Sequence, residues 1–589
     1  MNLHYSRLRP RAATLRTVLL LGSVIAIGGR GIDAADRPLA RVLDPRGISG
    51  SLILSGGQAA DDDTVRRFLE SVGGAERARI AVLTGLASDN PVDSLAILRF
   101  WQRQDVTSVT LSQPDGQVTD ADDELLKRLK TVNAVWIQDG PLASLLEAYA
   151  GTPVQAALQG VLKRGGTVVG IGRAAEIVGS RVQVSDEEQR DGNKHEFVPG
   201  LDLLPDSVIR TGTADVLQDF KVPSGHVGYS LPNDATMLVG CDSDQLDFRN
   251  QRVYGRGNLD PGRTVYVVGA DAVTVSLAKS LQRPEWSVAV PPNRVVDLTA
   301  LRRSAIERDT TDFPPANVGI PEVPNGTLVI IGGGGMPKEI VEAIIDAAGG
   351  PDAKYTVLPT AIPEQFARRS GVPRFFTEFG ADDVTVLPQV GRGQVDQPVF
   401  LDKIRQADCV WFGGGRQWRF VDAYAHTPAV AAFHAVLKRG GVICGSSAGA
   451  SIQGEYLARA NPLGNLPIIA EGYERGFGFL PGTAIDQHFS QRKRFDDLRQ
   501  LVQTYPQFLG IGIDEATAIV VRGHVATVLG THHVFFLDAR PEDGVEAEDA
   551  KVLRVARLKA GERYDLKARR PITETDQAQP AIAEPAADR

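Results

Sequence analysis

Residues 436–450 read Val-Leu-Lys-Arg-Gly-Gly-Val-Ile-Cys-Gly-Ser-Ser-Ala-Gly-Ala, and the organisation of the whole chain follows from them. The first six, Val436–Gly441, recur unchanged as Val161–Gly166, an offset of 275. At the same offset Ala148–Pro153 (AYAGTP) faces Ala423–Pro428 (AYAHTP), and Val135-Trp136 faces Val410-Trp411. Near the start of each copy Gly50–Gly57 (GSLILSGG) parallels Gly326–Gly333 (GTLVIIGG), now offset by 276. A nearly constant offset sustained over about a hundred residues marks duplication of a whole domain, not a short solenoid repeat.

Each copy alternates short β-rich runs with helix-like stretches. In the second copy the strand candidates are Leu328–Ile331, Tyr355–Leu358, Val384–Leu387, Cys409–Phe412 and Val442–Cys444. Near-continuous apolar strands separated by helical segments predict an α/β fold, with a mostly parallel sheet covered by helices on both faces. The expected organisation is a leader at 1–36, a first domain at 37–285 and a linker at 286–325 rich in proline and charge. A second domain follows at 326–565, and a tail of disordered composition at 566–589.

The chain of 589 residues exceeds what one hydrophobic core serves, in keeping with two domains. Its formal net charge of −8 supplies no basic footprint and argues against a dedicated nucleic-acid binder. Arg7, Arg9, Arg11 and Arg16 precede an apolar run, Thr17–Gly29, too short to span a bilayer comfortably, with Ala34 and Ala35 beyond it. This pattern predicts a signal peptide and a periplasmic or extracellular protein with no membrane association once the leader is removed. An uncleaved N-terminal anchor is the alternative. Of the three cysteines, Cys241, Cys409 and Cys444, the last two lie in apolar strand-like runs and read as buried small hydrophobes.

Gly445-Ser446-Ser447-Ala448-Gly449 matches G-x-S-x-G, in which a strand turns abruptly into a helix and only small neighbours fit. Ser447 would project from the strand's carboxyl end, with the Ala448 amide directed at a developing oxyanion. Gly413-Gly414-Gly415 follows the preceding strand and would bring a second backbone donor alongside, although it must be a tight turn in any case. The candidate base is His488, in the polar cluster Asp486–Arg494 (DQHFSQRKR). Arg492 and Arg494 form either a solvated helix face or a carboxylate-binding site. For the acid that orients the imidazole, Glu515 is preferred, with Asp514 and Glu471 in reserve.

Taken together, GSSAGAS (445–451), DQHFSQRKR (486–494) and GIGIDEATAIV (510–520) resemble the cyanophycinases of peptidase family S51. The resemblance spans about 326–540 and weakly the first copy. It implies tandem flavodoxin-like domains akin to class I glutamine amidotransferases, and a Ser-His-Glu triad at Ser447, His488 and Glu515. It also implies a substrate pocket of Gln417, Asp486, Gln487, Arg492 and Arg494, and no metal or other cofactor. The implied activity is release of β-Asp-Arg dipeptides from the polymer multi-L-arginyl-poly-L-aspartate. Two positions depart from the family pattern: Arg416 stands where an acid is usual, and Asp497 where a further arginine is expected, with Arg499 close by.

Alignment of the copies sets Gly172 against Ser447, Arg173 against Ala448, and Arg210-Thr211-Gly212 against Asp486-Gln487-His488. The first copy therefore lacks both nucleophile and base, and is expected to be a structural or polymer-docking domain that mimics a dimer partner within one chain. Competing readings are another S51 peptidase of aspartyl or isoaspartyl peptides, and a non-catalytic polymer- or peptide-binding protein. Gly332–Gly335 lacks the glycine spacing of a dinucleotide site, and His532-His533 has no third metal ligand at a recognisable spacing.

Overall fold

The computed structural model describes residues 43–58, 61–87, 93–119, 123–185, 196–240, 261–280, 283–310, 313–540 and 553–573. The expected leader and Cys241 lie outside them. The first half contains strands β1 (Ser51–Ser55), β2 (Arg79–Leu83), β3 (Ser108–Ser112), β4 (Ala134–Ile137), β5 (Thr167–Ile171), β6 (Gly179–Gln183) and β7 (Phe197–Pro199). It continues with β8 (Leu204–Gly212), β9 (Val227–Pro232), β10 (Ala235–Val239), β11 (Thr264–Gly269), β12 (Val273–Leu277), β13 (Trp286–Val290) and β14 (Val295–Asp297). The second half opens with β15 (Val323–Ile331), β16 (Tyr355–Leu358), β17 (Val384–Val386), β18 (Cys409–Phe412), β19 (Val442–Ser446), β20 (Gly454–Tyr456) and β21 (Leu480–Gln487). It closes with β22 (Leu509–Ile513), β23 (Thr517–Gly523), β24 (Val525–Gly530), β25 (His533–Asp538), β26 (Arg554–Lys559), β27 (Arg563–Asp565) and β28 (Arg570–Pro571).

The large sheets run β3-β2-β4-β5-β1-β10-β11-β14 and β17-β16-β18-β19-β15-β23-β24-β27-β28, so the same order appears twice. In each, the first five strands are parallel and the remainder antiparallel. A smaller sheet accompanies each, β7-β6-β8-β9-β12-β13 and β20-β21-β22-β25-β26. This is the α/β architecture the apolar runs predict, and their side chains show why. Leu328 and Ile330 of β15 join one core while Val329 and Ile331 join the core on the opposite face. Leu52, Leu54 and Ile53 of β1 divide in the same way. A strand buried on both faces has no polar positions, so it reads as a continuous apolar run.

The repeated hexapeptide has a local explanation. Helices Pro153–Lys163 and Pro428–Lys438 start alike, with Thr152 and Thr427 accepting the amide hydrogens of Val154 and Ala429 and proline in the first turn. Each ends at Lys-Arg, and the next glycine takes positive φ, 80° at Gly165 and 96° at Gly440. The second glycine passes close to backbone: a Cβ would lie 2.7 Å from Asn133 O at Gly166 and 2.8 Å from Asp408 O at Gly441. Both glycines are required before the central strand can begin.

The segment read as a linker is folded. Trp286–Val290 and Val295–Asp297 complete the first half's two sheets, and residues 298–310 form a helix. Leu298, Leu301 and Ala305 of that helix belong to the first half's core, while Ala300 packs on the second's. Proline and charge suggested a tether because the charges' partners are remote in sequence. Accordingly, the described residues of both halves belong to one compact unit. The expected tail is likewise ordered to Thr573: Leu566 is buried and Arg570–Pro571 pairs with β27, and the rest lies outside the described residues. Cys409 and Cys444 are buried free thiols with sulfurs 3.4 Å apart. Among the described residues no helix is long and apolar enough to cross a membrane.

Candidate active site

Strands β15, β18 and β19 lie side by side and parallel, so their carboxyl ends open on one edge, the usual ligand edge of such sheets. Beyond β19 the chain reverses through Ser447, at φ 56° and ψ −111°, and enters the short helix Ala448–Ser451. A non-glycine residue in this region carries strain of about 1–3 kcal/mol that its surroundings must hold. They do so through the Ser447 amide, which donates to Ile331 O at 3.0 Å, and through the two motif glycines. A Cβ at Gly445 would overlap the backbone at Gly449, and one at Gly449 would overlap Phe412 O.

His488 follows β21 of the smaller sheet and Glu515 follows β22, its parallel neighbour. The Ser447 hydroxyl lies 2.9 Å from His488 Nε2, and His488 Nδ1 lies 2.6 Å from Glu515 Oε1. Of the three candidate acids, Glu515 is thus the one on the ring. Asp514 accepts from the amides of Ser490 at 2.8 Å and His533 at 3.3 Å, and Glu471 accepts from Ser304 at 2.6 Å and Arg308 at 3.0 Å. Burial lowers the His488 pKa below its usual value, aided by the cations Arg492 and Arg494 and opposed by the Glu515 hydrogen bond. The ring is therefore neutral, and able to accept a proton, at neutral pH.

The glycine run after β15 organises all three side chains. Besides Ile331 O holding the Ser447 amide, Gly332 O accepts from the His488 amide and Gly333 O from the Ala516 amide, each at 2.8 Å. A Cβ at Gly333 would overlap the His488 imidazole, and one at Gly334 would stand 2.8 Å from Glu515 Cβ. In the sequence this run shows only that it lacks the glycine spacing of a dinucleotide site. Its purpose is visible only once His488 and Glu515 are folded against it.

Gly414 lies beside the nucleophile, its Cβ position 3.5 Å from Ser447 Cβ. Gly415, at φ 145°, presses against Ala361 O. Both are exposed, and Ala448 opens a helix at a position whose amide has no intrahelical acceptor. Among the described residues no group of three or more metal-ligating side chains occurs.

The remaining pocket candidates divide. Gln417 is buried and donates to Ala458 O at 2.9 Å, and Gln487 is buried with its Oε1 unpartnered. Asp486, fully buried, accepts from Arg494 Nη1 at 3.0 Å and from Arg459 Nε at 2.9 Å. Arg494 is buried too and bound to Gln487 O at 2.6 Å, so it is a supporting cation and not a free carboxylate clamp. Arg492 is exposed and makes no ion pair among the described residues. Sequence reading missed Arg459. It bridges Asp486 to Asp497 at 2.7 Å, so the acid found where an arginine was expected is matched by an arginine from elsewhere. At φ 60° in an irregular loop, Arg459 carries no periodic or spacing signal. Arg416 donates to Asn461 O at 2.7 Å in that same loop.

In the first half Gly172 keeps the elbow, with φ 54° and ψ −127°, but has no nucleophile. Gly212 replaces the base. A Cβ at Gly56 would overlap Pro232 O as one at Gly332 would overlap Asp514 O, which puts Asn233 in the place of Glu515. Asp139 stands at the counterpart of Gly414, and its carboxylate accepts the amide hydrogen of Arg173, the counterpart of Ala448, at 2.8 Å. An internal carboxylate thus fills the place where backbone donors would meet an oxyanion.

A serine at a strained elbow, in line with a neutral histidine and a carboxylate, has the geometry of a serine hydrolase. The model of peptidase family S51 matches residues 328–529. A cyanophycinase from Geminocystis herdmanii is 30% identical over 246 residues, covering 40% of this chain and 90% of its own length. A cyanophycinase from Trichormus variabilis is 30% identical over 219 residues, covering 36% of this chain and 74% of its own. A solved peptidase from an acI-B1 Actinobacterium is similar at 22% identity and TM-score 0.32, over 42% of this chain and 98% of its own. The chain belongs to peptidase family S51 and is a serine peptidase.

Proposed function

We propose that this chain is a serine exopeptidase acting on the aspartyl backbone of cyanophycin, with Ser447, His488 and Glu515 as its triad. The observation that carries the reading is the unbroken line from Ser447 Oγ through the imidazole to Glu515, at 2.9 Å and 2.6 Å. His488 Nε2 takes the Ser447 proton as Oγ bonds to the scissile carbonyl carbon. Amides among Gly414, Gly415 and Ala448 stabilise the oxyanion, and Glu515 holds the Nδ1–H tautomer. The imidazolium then protonates the leaving amine as the C–N bond breaks, and water releases the acyl group by the reverse proton path. Support for the polymer comes from the relatives named cyanophycinase. Export is supported by the basic, apolar leader, and tandem copies acting as a pseudo-dimer by the repeated offset and strand order.

A second reading, hydrolysis of acidic aspartyl or isoaspartyl peptides, is favoured by the state of Asp486. That carboxylate is taken up by Arg459 and Arg494, while Arg492 near the base has no ion pair among the described residues. The test is release of β-Asp-Arg from purified cyanophycin, beside Ser447→Ala, which should lower the rate by about 10⁴-fold or more. Release from wild type alone supports the first reading. Cleavage of β-Asp-Asp without β-Asp-Arg release supports the second.

A further inference from the structure

We propose that the first half takes part in catalysis through Arg263 and Arg303, which position the helix that follows the oxyanion loop; this rests on Ser447 being the nucleophile. That helix, Gln417–Tyr424, begins one residue beyond Gly413–Arg416, and Gly414 is the residue set beside Ser447. Two of the three hydrogen bonds to its Asp422 come from the other half of the chain. Asp422 Oδ2 accepts from Arg263 Nη1 at 2.5 Å, and Oδ1 accepts from Arg303 Nη2 at 2.8 Å and from the Tyr473 hydroxyl at 2.7 Å. Arg263 also donates to both oxygens of Asp297, at 2.9 and 3.0 Å, and to the Tyr473 oxygen at 2.8 Å. Its guanidinium stands 4.6 Å above the ring of Trp418, in the first turn of the same helix. Arg303 in turn lies 5.1 Å over the ring of Tyr473.

Two arginines and two aspartates make the cluster neutral, and all four side chains are at least 89% buried. In such surroundings a hydrogen-bonded charge pair has one arrangement and resists displacement. Arg263 precedes β11, Asp297 ends β14, and Arg303 belongs to helix Leu298–Thr310, so the clamp sits on the sheet edge and closing helix of the first half. The helix it grips has only eight residues. A shift at Asp422 therefore reaches Gln417 and the glycine loop, where displacement by about an ångström is enough to cost much of the rate. The catalytically disarmed half is thus a positioning partner, and Arg263 and Arg303 are positioning residues that never touch substrate.

The test is labelling of the full chain by a fluorophosphonate. Ser447 Oγ attacks phosphorus, fluoride leaves, and the serine proton passes to His488, so the readout requires the nucleophile and oxyanion donors but no knowledge of the natural substrate. Tyr473→Phe deletes one hydroxyl of the cluster, and Arg263→Lys keeps the charge but loses the guanidinium fork. Arg302→Ala is the control, since Arg302 lies on the same helix but pairs at 2.9 Å with Asp206 of the first half. In both cluster variants the maximal labelling rate should fall about tenfold or more, with probe affinity within about twofold of wild type. The control should lose thermal stability and keep the wild-type rate. Wild-type rates in folded Tyr473→Phe, or an equal loss in Arg302→Ala, would overturn the proposal; Tyr473→Phe decides alone should Arg263→Lys not fold. Failure of the wild type to label at Ser447 would instead sink the nucleophile assignment, and this inference with it.

Discussion

His488 concentrates the residue-scale chemistry, because its environment sets when the enzyme can work. A ring whose pKa is lowered stays neutral further into acid than an ordinary histidine, with a usual value of about 6.5, so it keeps its capacity as a base there. The acid limb of the pH profile of kcat/KM should therefore lie below that usual value, rate rising as His488 deprotonates. Arg492 contributes to the depression and makes no ion pair among the described residues, so Arg492→Ala should move the limb to higher pH. An unmoved limb would mean that burial, Glu515 and Arg494 set it without Arg492. Ser447, His488 and the glycines flanking the serine were legible in the sequence because a strained elbow restricts residue type, whereas the choice of Glu515 over Asp514 and Glu471 was not. Nor was Arg459. An arginine that neutralises Asp486 from 27 residues away in an irregular loop looks like any surface arginine until the chain is folded.

At the scale of elements, the end of β15 and the loop following it tie the sheet that bears Ser447 to the sheet that bears His488 and Glu515. The carbonyls of Ile331, Gly332 and Gly333 hold the backbone at Ser447, His488 and Ala516 in turn. The glycines have no side chains because His488 and Glu515 occupy that space. Gly333→Ala, at φ 101°, should displace the imidazole and lower kcat/KM by about 10²-fold or more, while far-UV circular dichroism stays as in wild type. Retained activity would refute this role for the loop. The strand candidates at 355–358 and 409–412 coincide with β16 and β18, since buried parallel strands advertise themselves as apolar runs. Helix Leu298–Thr310 escaped notice because its buried face carries Arg302, Arg303 and Ser304, whose partners lie in remote segments.

For the molecule as a whole, the joint between the halves is polar and buried where a linker rich in proline and charge was expected. Asp422→Ala would leave Arg303 facing the cluster without its carboxylate, an uncompensated charge costing about 3–5 kcal/mol. Calorimetry should therefore record one transition for the wild type, both halves melting together, and a lower Tm for the variant. Two separate wild-type transitions would contradict a shared core. By itself the sequence supplied the repeated segments, the parallel α/β class, the elbow serine, and the lack of a serine and a histidine at the matching positions of the first half. Each of these is written in local patterns of apolar spacing, glycine placement and missing side chains. Only the tertiary structure decided which acid orients His488, that Asp486 is already neutralised, and that the first half grips the catalytic one. Those facts depend on pairing between charged groups distant along the chain, and such pairing leaves no mark on the sequence near either partner.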